Sequence, residues 1–302
     1  MEKKRKLGRG LDEVANFWLS SSSIPSSEDT DDKKVKLLSP KNLDKTPGFS
    51  SKCISIIYPE SSKVKGLLVT NFVLELAKQG YGSCVLNYEP NESPLNAIMN
   101  NLFQNFSKAE DNGDSSTSHR ILKLYGMPAI HLFSRARGIL SIAKMPQIND
   151  DLYLQLSSNN IEESIILLNH QDSLEMITKM DNIPPIVILV SKPRRESLLI
   201  SYAYIKVILN KAPGTQIWII MDEVLDRDTA IKAFTLLSQA VIHHLSHGSH
   251  ALKFLGSIIH DQALGISLAT HYPLVLSEQH SVARDSIIRI AANFIKSIEN
   301  SD

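Results

Sequence analysis

A short loop with two lysines, PESSKVKG (residues 59–66), lies between an apolar strand-like run and a helical pattern. At such a junction, backbone N–H groups and a lysine can bind the phosphates of a nucleotide. Glycines normally line such a loop, because they let the main chain approach the phosphates and adopt positive φ. This loop keeps Lys63 and Lys65 but has only one glycine, Gly66. It therefore has the position of a phosphate-binding loop without the usual composition.

The rest of the chain provides the elements that would position this loop. From residue 51 onward, β-branched and leucine-rich runs alternate with helical patterns, and continuous apolar strands are typical of a sheet covered on both faces. This alternation predicts an α/β fold with a doubly wound, mostly parallel sheet. The predicted strands span residues 53–58, 82–88, 120–126, 164–169, 185–190, 215–220 and 252–259. The predicted helices span residues 66–79, 94–106, 171–180, 196–209, 226–245 and 281–298, and residues 107–119 are a predicted surface loop.

Composition and charge exclude several classes of function. Lys+Arg and Asp+Glu both number 32, so no global field favours nucleic acid or an anionic membrane. No apolar run approaches the ~18 residues that span a bilayer, and no hydrophobic signal core follows the N-terminus. The only cysteines, Cys53 and Cys84, lie in apolar runs, which suits a reducing compartment. We therefore expect a cytoplasmic protein without stable membrane insertion.

The loop and its surroundings resemble the MinD/ParA class of P-loop ATPases. Those proteins read roughly SGKGGVGKT, then have a helix that ends in a phrase like the LAKQG found here. Three later segments resemble the flagellar-number branch of that class, FlhG (also called FleN). They are residues 191–208 (SKPRRESLLISYAYIKVI), 219–245 and 254–295, in the same order and with the same spacing as in that branch. The resemblance implies a P-loop NTPase-type domain over residues 51–302.

The resemblance also implies which loop positions have changed. On this register Lys65 takes the place of the P-loop lysine, Gly66 replaces the magnesium-binding Ser/Thr, and Glu60 replaces a signature lysine. Proline, serine and valine replace glycines, which stiffens the backbone and removes one donor. At an effective dielectric of about 20, the Glu60 charge about 4 Å from a triphosphate would cost about 4 kcal/mol.

The remaining chemical positions of the family change as well. Its two switch carboxylates correspond to Asn87 and Glu89, and its second strand aspartate corresponds to Asn169. The adenine-reading asparagine corresponds to Asp222, which cannot donate a hydrogen bond as an amide does. We therefore expect no catalytic residues, no metal site and no cofactor. ATP with magnesium remains the alternative, and the residues that would then bind it are Lys63, Lys65, Gly66, Glu89 and Asp222.

Residues 1–50 are too polar to fold alone and predict a disordered arm with one short amphipathic helix near 11–18. Leu11, Val14 and Trp18 share one face of that helix. The phrase KLGRGLDEV, which includes Arg9, resembles the opening of ParB-type proteins that engage a ParA partner. The arm therefore predicts either docking on its own domain or binding to a flagellar, polarity or partition protein.

Other clusters have simpler explanations. His243, His244, His247 and His250 could bind zinc by spacing, but they end an amphipathic helix and no cysteine or carboxylate completes a set. The basic phrase KPRRES is typical of a solvated helix start, and the apolar side of the last helix indicates core packing rather than membrane attachment. His260 and Asp261 suggest a hydrogen-bonded turn.

The sequence thus predicts a non-catalytic MinD/ParA/FlhG-like binding or regulatory module in the placement of a cellular structure, flagella first. A homodimer or a heterodimer with an active family member would be consistent with this role. The first alternative is an active ATPase of the same family, in flagellar number control, division-site placement or chromosome partitioning. The second is a structural adaptor that binds a partner through its arm.

Overall fold

The computed structural model describes residues 53–60, 64–87, 94–106, 117–135, 165–169, 173–180, 183–245 and 252–300. The predicted arm, with Arg9, Leu11, Val14 and Trp18, lies outside these residues. Lys63 and Glu89 also lie outside them, as do most of the residues of the predicted loop after the second helix.

Within the described residues, eight strands form one sheet in the order β3-β4-β2-β5-β1-β6-β7-β8. Every neighbouring pair is parallel except β3 and β4, which are antiparallel. This confirms the predicted doubly wound, mostly parallel sheet. The strands are β1 Cys53–Ile57, β2 Ser83–Asn87, β3 Thr117–Leu122, β4 Ile130–Arg135, β5 Ile165–Asn169, β6 Ile186–Ser191, β7 Gln216–Val224 and β8 Lys253–Ile259.

Helices connect and cover these strands. They are α1 Val64–Lys78, α2 Pro94–Phe106, α3 Leu174–Lys179, α4 Arg195–Lys211, α5 Arg227–His244, α6 Gln262–Thr270 and α7 Val282–Glu299. Three of them begin with a side chain that accepts a hydrogen bond from a backbone N–H of the first turn. Asp226 accepts from Thr229 in α5, Asp261 accepts from Leu264 in α6, and Ser281 accepts from Arg284 in α7. Among the described residues, no helix is long and apolar enough to cross a membrane.

The central strands are buried on both faces, which explains their unbroken apolar sequences. All five residues of β1 and of β5 are buried. Helix α1 is buried along nearly its whole length, and α7 packs beside it. Phe294 of α7 contacts Phe72 and Trp218 edge to face, with ring centroids 5.1 Å and 5.4 Å apart. The last helix is therefore part of the core, as its pattern predicts.

Two described elements were not predicted. Strand β4 pairs with both β3 and β2, and β3 begins at Thr117 inside the predicted loop. Helix α6 was missed because its sequence, QALGISLAT, has a central glycine and little amphipathic pattern. Its start signal was readable: Asp261 accepts from the N–H groups of Leu264 and Ala283, which confirms a hydrogen-bonded turn at that aspartate.

Candidate functional site

The carboxyl ends of the parallel strands lie at one edge of the sheet, where open α/β sheets bind ligands. The chemically distinctive residues of the sequence meet at this edge. The lysine loop leaves β1, the asparagines end β2 and β5, and the charged residues follow β6 and lie near the end of β7. We therefore treat this edge as the candidate site.

Gly66 lies where the first turn of α1 contacts the start of α2. A Cβ atom added at Gly66 would lie 2.4 Å from the backbone N of Leu95 and 2.8 Å from the carbonyl carbon of Pro94. Backbone atoms cannot rotate away, so any side chain at this position would displace the start of α2. Lys65, one residue earlier, lies in the first turn as predicted and is 3% exposed. Lys65 is thus a buried residue.

Three asparagine side chains form a chain of hydrogen bonds, which we call the amide relay (Asn87, Asn96 and Asn169). The Nδ2 group of Asn169 donates to Oδ1 of Asn87 over 2.8 Å, and Nδ2 of Asn87 donates to Oδ1 of Asn96 over 3.0 Å. All three side chains are buried. The register of β2 and β5 pairs Asn87 with Asn169, and Asn96 lies in the first turn of α2. The relay therefore fastens α2 to the sheet.

Among the described residues, the amide relay and Gly66 offer neither the carboxylates nor the hydroxyl that would bind a magnesium nucleotide of the kind that the family resemblance implies. Magnesium in such sites is bound by one or two carboxylates together with the phosphates, whereas the relay provides neutral amides that bond to one another. Oδ1 of Asn169 has no hydrogen-bond partner among the described residues, but a single neutral oxygen is a weak ligand for this ion. Gly66 offers no hydroxyl, and its contact with α2 leaves no space for one.

A second group of side chains surrounds the start of α4. The Oγ of Ser197 donates to Glu60 over 2.8 Å, and Lys192 lies 3.7 Å from Glu60 and 2.8 Å from Glu223. Arg194 pairs with Glu223 over 2.6 Å. Burial raises the pKa of Glu223, but its hydrogen bond to Lys192 and its attraction to Lys192, Arg194 and His260 together outweigh this effect and lower the pKa below its usual value. Glu60 therefore binds the start of α4 and Lys192.

Asp222 is fully buried and pairs with His260, which follows β8. The Nε2 atom of His260 lies 2.7 Å from Oδ1 of Asp222, and this hydrogen bond raises the pKa of His260 above its ordinary value even though burial lowers it. A cavity beside Asp222 has a volume of about 10 Å³, which is room for about one water molecule. The proposed base-reading position is thus occupied by an aspartate–histidine pair.

No protein-family model matches this chain, and none of the curated proteins matches it. Several solved structures are similar to this chain. MinD from Aquifex aeolicus in a MinC:MinD complex is 15% identical with a TM-score of 0.55, over 81% of this chain and 96% of that one. MinD from Pyrococcus horikoshii with Mg-ADP is 13% identical with a TM-score of 0.54, over 83% and 98%. The pNOB8 ParA bound to nonspecific DNA is 12% identical with a TM-score of 0.52, over 83% and 99%.

The chain has the MinD/ParA-type fold. At these identities the similarity establishes the architecture, and the chemistry must be argued from the residues. The MinD/ParA-type fold places Lys65, Asn87, Asn169 and Asp222 at the carboxyl edge of the sheet, as the family register predicts.

Several sites considered from the sequence are not assembled in the described residues. His243 is exposed and His244 half-buried at the end of α5, and among the described residues no group of side chains could hold a metal ion. His247 and His250 lie outside them. Two features that sequence reasoning missed are central to the site: the Asn96 link of the relay and the pairing of His260 with Asp222. Asn96 is 9 positions from Asn87, and His260 is 38 positions from Asp222. Neither contact follows from a local sequence pattern, so only the fold could reveal them.

Proposed function

We propose that this chain is a non-catalytic protein of the MinD/ParA type, which acts as a binding or regulatory module in the spatial placement of a cellular structure. The observation that supports this proposal is the amide relay, because two positions that hold carboxylates in the family carry amides that are hydrogen-bonded to each other. The closed contact at Gly66 supports it independently. Under this proposal the protein needs neither nucleotide nor metal.

Flagella are the structure that we propose first. The support is the resemblance of residues 191–208, 219–245 and 254–295 to the FlhG branch, in matching order and spacing. The buried, free thiols of Cys53 and Cys84 agree with a role in the reducing cytoplasm. Division-site placement and chromosome partitioning are the alternative roles that we propose after flagella.

The experiment is calorimetric titration of the full chain with ATP and with ADP, each with and without magnesium, alongside a phosphate-release assay. We expect no heat of binding and no turnover above buffer. A Lys65→Ala variant provides the comparison, and its fold is checked first by circular dichroism. Micromolar, magnesium-dependent binding that disappears in Lys65→Ala would contradict the proposal.

That contrary result would support the alternative proposal, an active ATPase of the same fold. One observation favours it: Lys65 keeps the position of a phosphate-binding lysine in the first turn of α1. The solved relative from Pyrococcus horikoshii contains Mg-ADP. In this case we propose that the nucleotide contacts Lys63, Lys65, Gly66, Glu89 and Asp222, and α2 must then move away from Gly66.

We propose that a protein partner binds the N-terminal arm through Arg9, Leu11, Val14 and Trp18, and that nucleic acid does not. The Aquifex aeolicus relative was solved with MinC, so this fold accommodates a protein partner. Dimerisation with itself or with an active protein of this fold is a further possibility under the same proposal.

The arm is tested by a Leu11→Ala, Trp18→Ala variant, with Ser21→Ala as the matched control in the same arm. We expect the unfolding midpoint of the domain to stay unchanged while complex formation with a flagellar or partition protein weakens in the first variant only. A large loss of stability would mean instead that the arm packs on its own domain.

A further inference from the structure

Strand β7 contains an irregularity beside its carboxyl end. Its pairing with β8 shifts between Met221 and Val224, so Asp222 and Glu223 lie in a bulge. Glu223 has φ of 53°, a left-handed conformation that costs free energy in a residue other than glycine. Bulges and strained residues of this kind persist where surrounding contacts hold them, and they are common at functional sites.

The contacts that hold the bulge come from both sides. Glu223 forms salt bridges with Lys192 and Arg194, which follow β6 and lead into α4. Asp222 is bonded to His260, which joins β8 to α6. The bulge therefore links the starts of two helices through charged side chains.

We propose that His260 and Asp222 form a proton-controlled latch that fastens the end of β8 to the bulge of β7. The latch is closed when the imidazole is protonated, because the buried carboxylate of Asp222 then has a cationic partner. When the proton leaves, the neutral imidazole still makes one hydrogen bond to Asp222, but it no longer offsets the charge of the buried carboxylate, which is costly. The edge between β7 and β8 then opens more readily.

The charges around the imidazole support this assignment. Asp222 and Glu223 on β7 favour the protonated ring, and Lys192 after β6 opposes it. Lys192 is matched to Glu223 and Glu60, while Oδ2 of Asp222 has no hydrogen-bond partner among the described residues. The adjacent carboxylate of Asp261 accepts backbone hydrogen bonds from the starts of α6 and α7. His260 is thus the cation available to Asp222 among the described side chains.

The direction of the effect follows from the raised pKa of His260. A group with a raised folded-state pKa contributes stability that is fully present below its unfolded pKa, about 6.5 for histidine, and that is lost as pH rises through the folded value. The latch should therefore loosen as pH rises above about 6.5. The change is largest in β8 and at the start of α6, which His260 joins.

The test uses the full chain and two measurements. The imidazole of His260 is titrated by NMR in the unmodified protein, and we expect its midpoint above 6.5. Hydrogen exchange of the β8 amides, corrected for the intrinsic rate, is followed between pH 6 and 9, and we expect their protection to fall severalfold. The unfolding midpoint should drop by about 2–4 °C more than in His260→Gln.

His280→Gln is the matched control, because this histidine is exposed in the turn before α7. It should keep the pH dependence of the unmodified protein, whereas His260→Gln and Asp222→Asn should lose it. A midpoint at or below 6.5, or parallel pH profiles for the unmodified protein and His260→Gln, would overturn the latch. The NMR titration decides the matter even when a variant does not fold.

Discussion

Replacing Gly66 by alanine tests the contact that closes the candidate site. The added Cβ atom would lie 2.4 Å from the backbone N of Leu95, 2.8 Å from the carbonyl carbon of Pro94 and 2.9 Å from Cα of Leu95. Favourable contacts between such atoms begin at about 3.5 Å, so the start of α2 must move by about 1 Å. Because Asn96 lies in the same turn, this movement also strains its bond to Asn87.

The size of the effect follows from opposing contributions. Overpacking of this kind costs about 1–3 kcal/mol, and weakening one buried hydrogen bond adds about 1 kcal/mol. Alanine is favoured over glycine inside a helix by about 1 kcal/mol, which offsets part of that cost. We expect Gly66→Ala to lower the free energy of unfolding by about 1–3 kcal/mol.

The assay is urea unfolding followed by circular dichroism, with Gly265→Ala as the matched control. Gly265 also lies in a helix, but a Cβ atom there has no heavy atom within 4 Å. The control should therefore gain about 0.5–1 kcal/mol. If Gly66→Ala is as stable as Gly265→Ala, α2 does not rest on α1 as described, and the argument that no hydroxyl fits at this position fails.

Three further substitutions have expected effects on the free energy of unfolding in the same assay. Asn87→Ala removes both buried hydrogen bonds of the amide relay together with the packing of the side chain, so we expect a loss of about 2–4 kcal/mol; a loss below about 1 kcal/mol would disprove the relay. Lys211→Met removes donors to three backbone carbonyls at the end of α3, and should cost about 1 kcal/mol because the side chain is exposed. Glu60→Gln should cost less than about 1 kcal/mol, since its pair with Lys192 is partly exposed; a larger loss would mean that Glu60 has a further role.

The sheet could be predicted from the sequence because its central strands are continuous apolar runs. CISII and IVILVS are buried at every position and were assigned within a residue of their observed bounds. Strand β4 and helix α6 were not predicted. Helix α6 has a central glycine and lacks the periodicity that reveals the other helices.

The candidate site could be located from the sequence but not understood from it. Lys65, Asn87, Asn169 and Asp222 lie at the carboxyl edge of the sheet, because each one lies near the end of a parallel strand or follows one. What each one contacts could not be read, since the partners are distant in sequence. Asp222, for example, pairs with a histidine 38 positions away.

Three residues at this edge that differ from the family pattern make structural contacts of their own. The asparagine at the end of β2 could have been left exposed by drift, yet it is fully buried and bonded on both sides. Glu60, which would repel a triphosphate, bonds to the start of α4, where a negative charge is favourable. Gly66, which lacks the metal-binding hydroxyl, is the residue that lets α2 approach α1. At these three positions the residue present makes a structural contact, and these contacts support the proposal that the fold acts in binding rather than in phosphate chemistry.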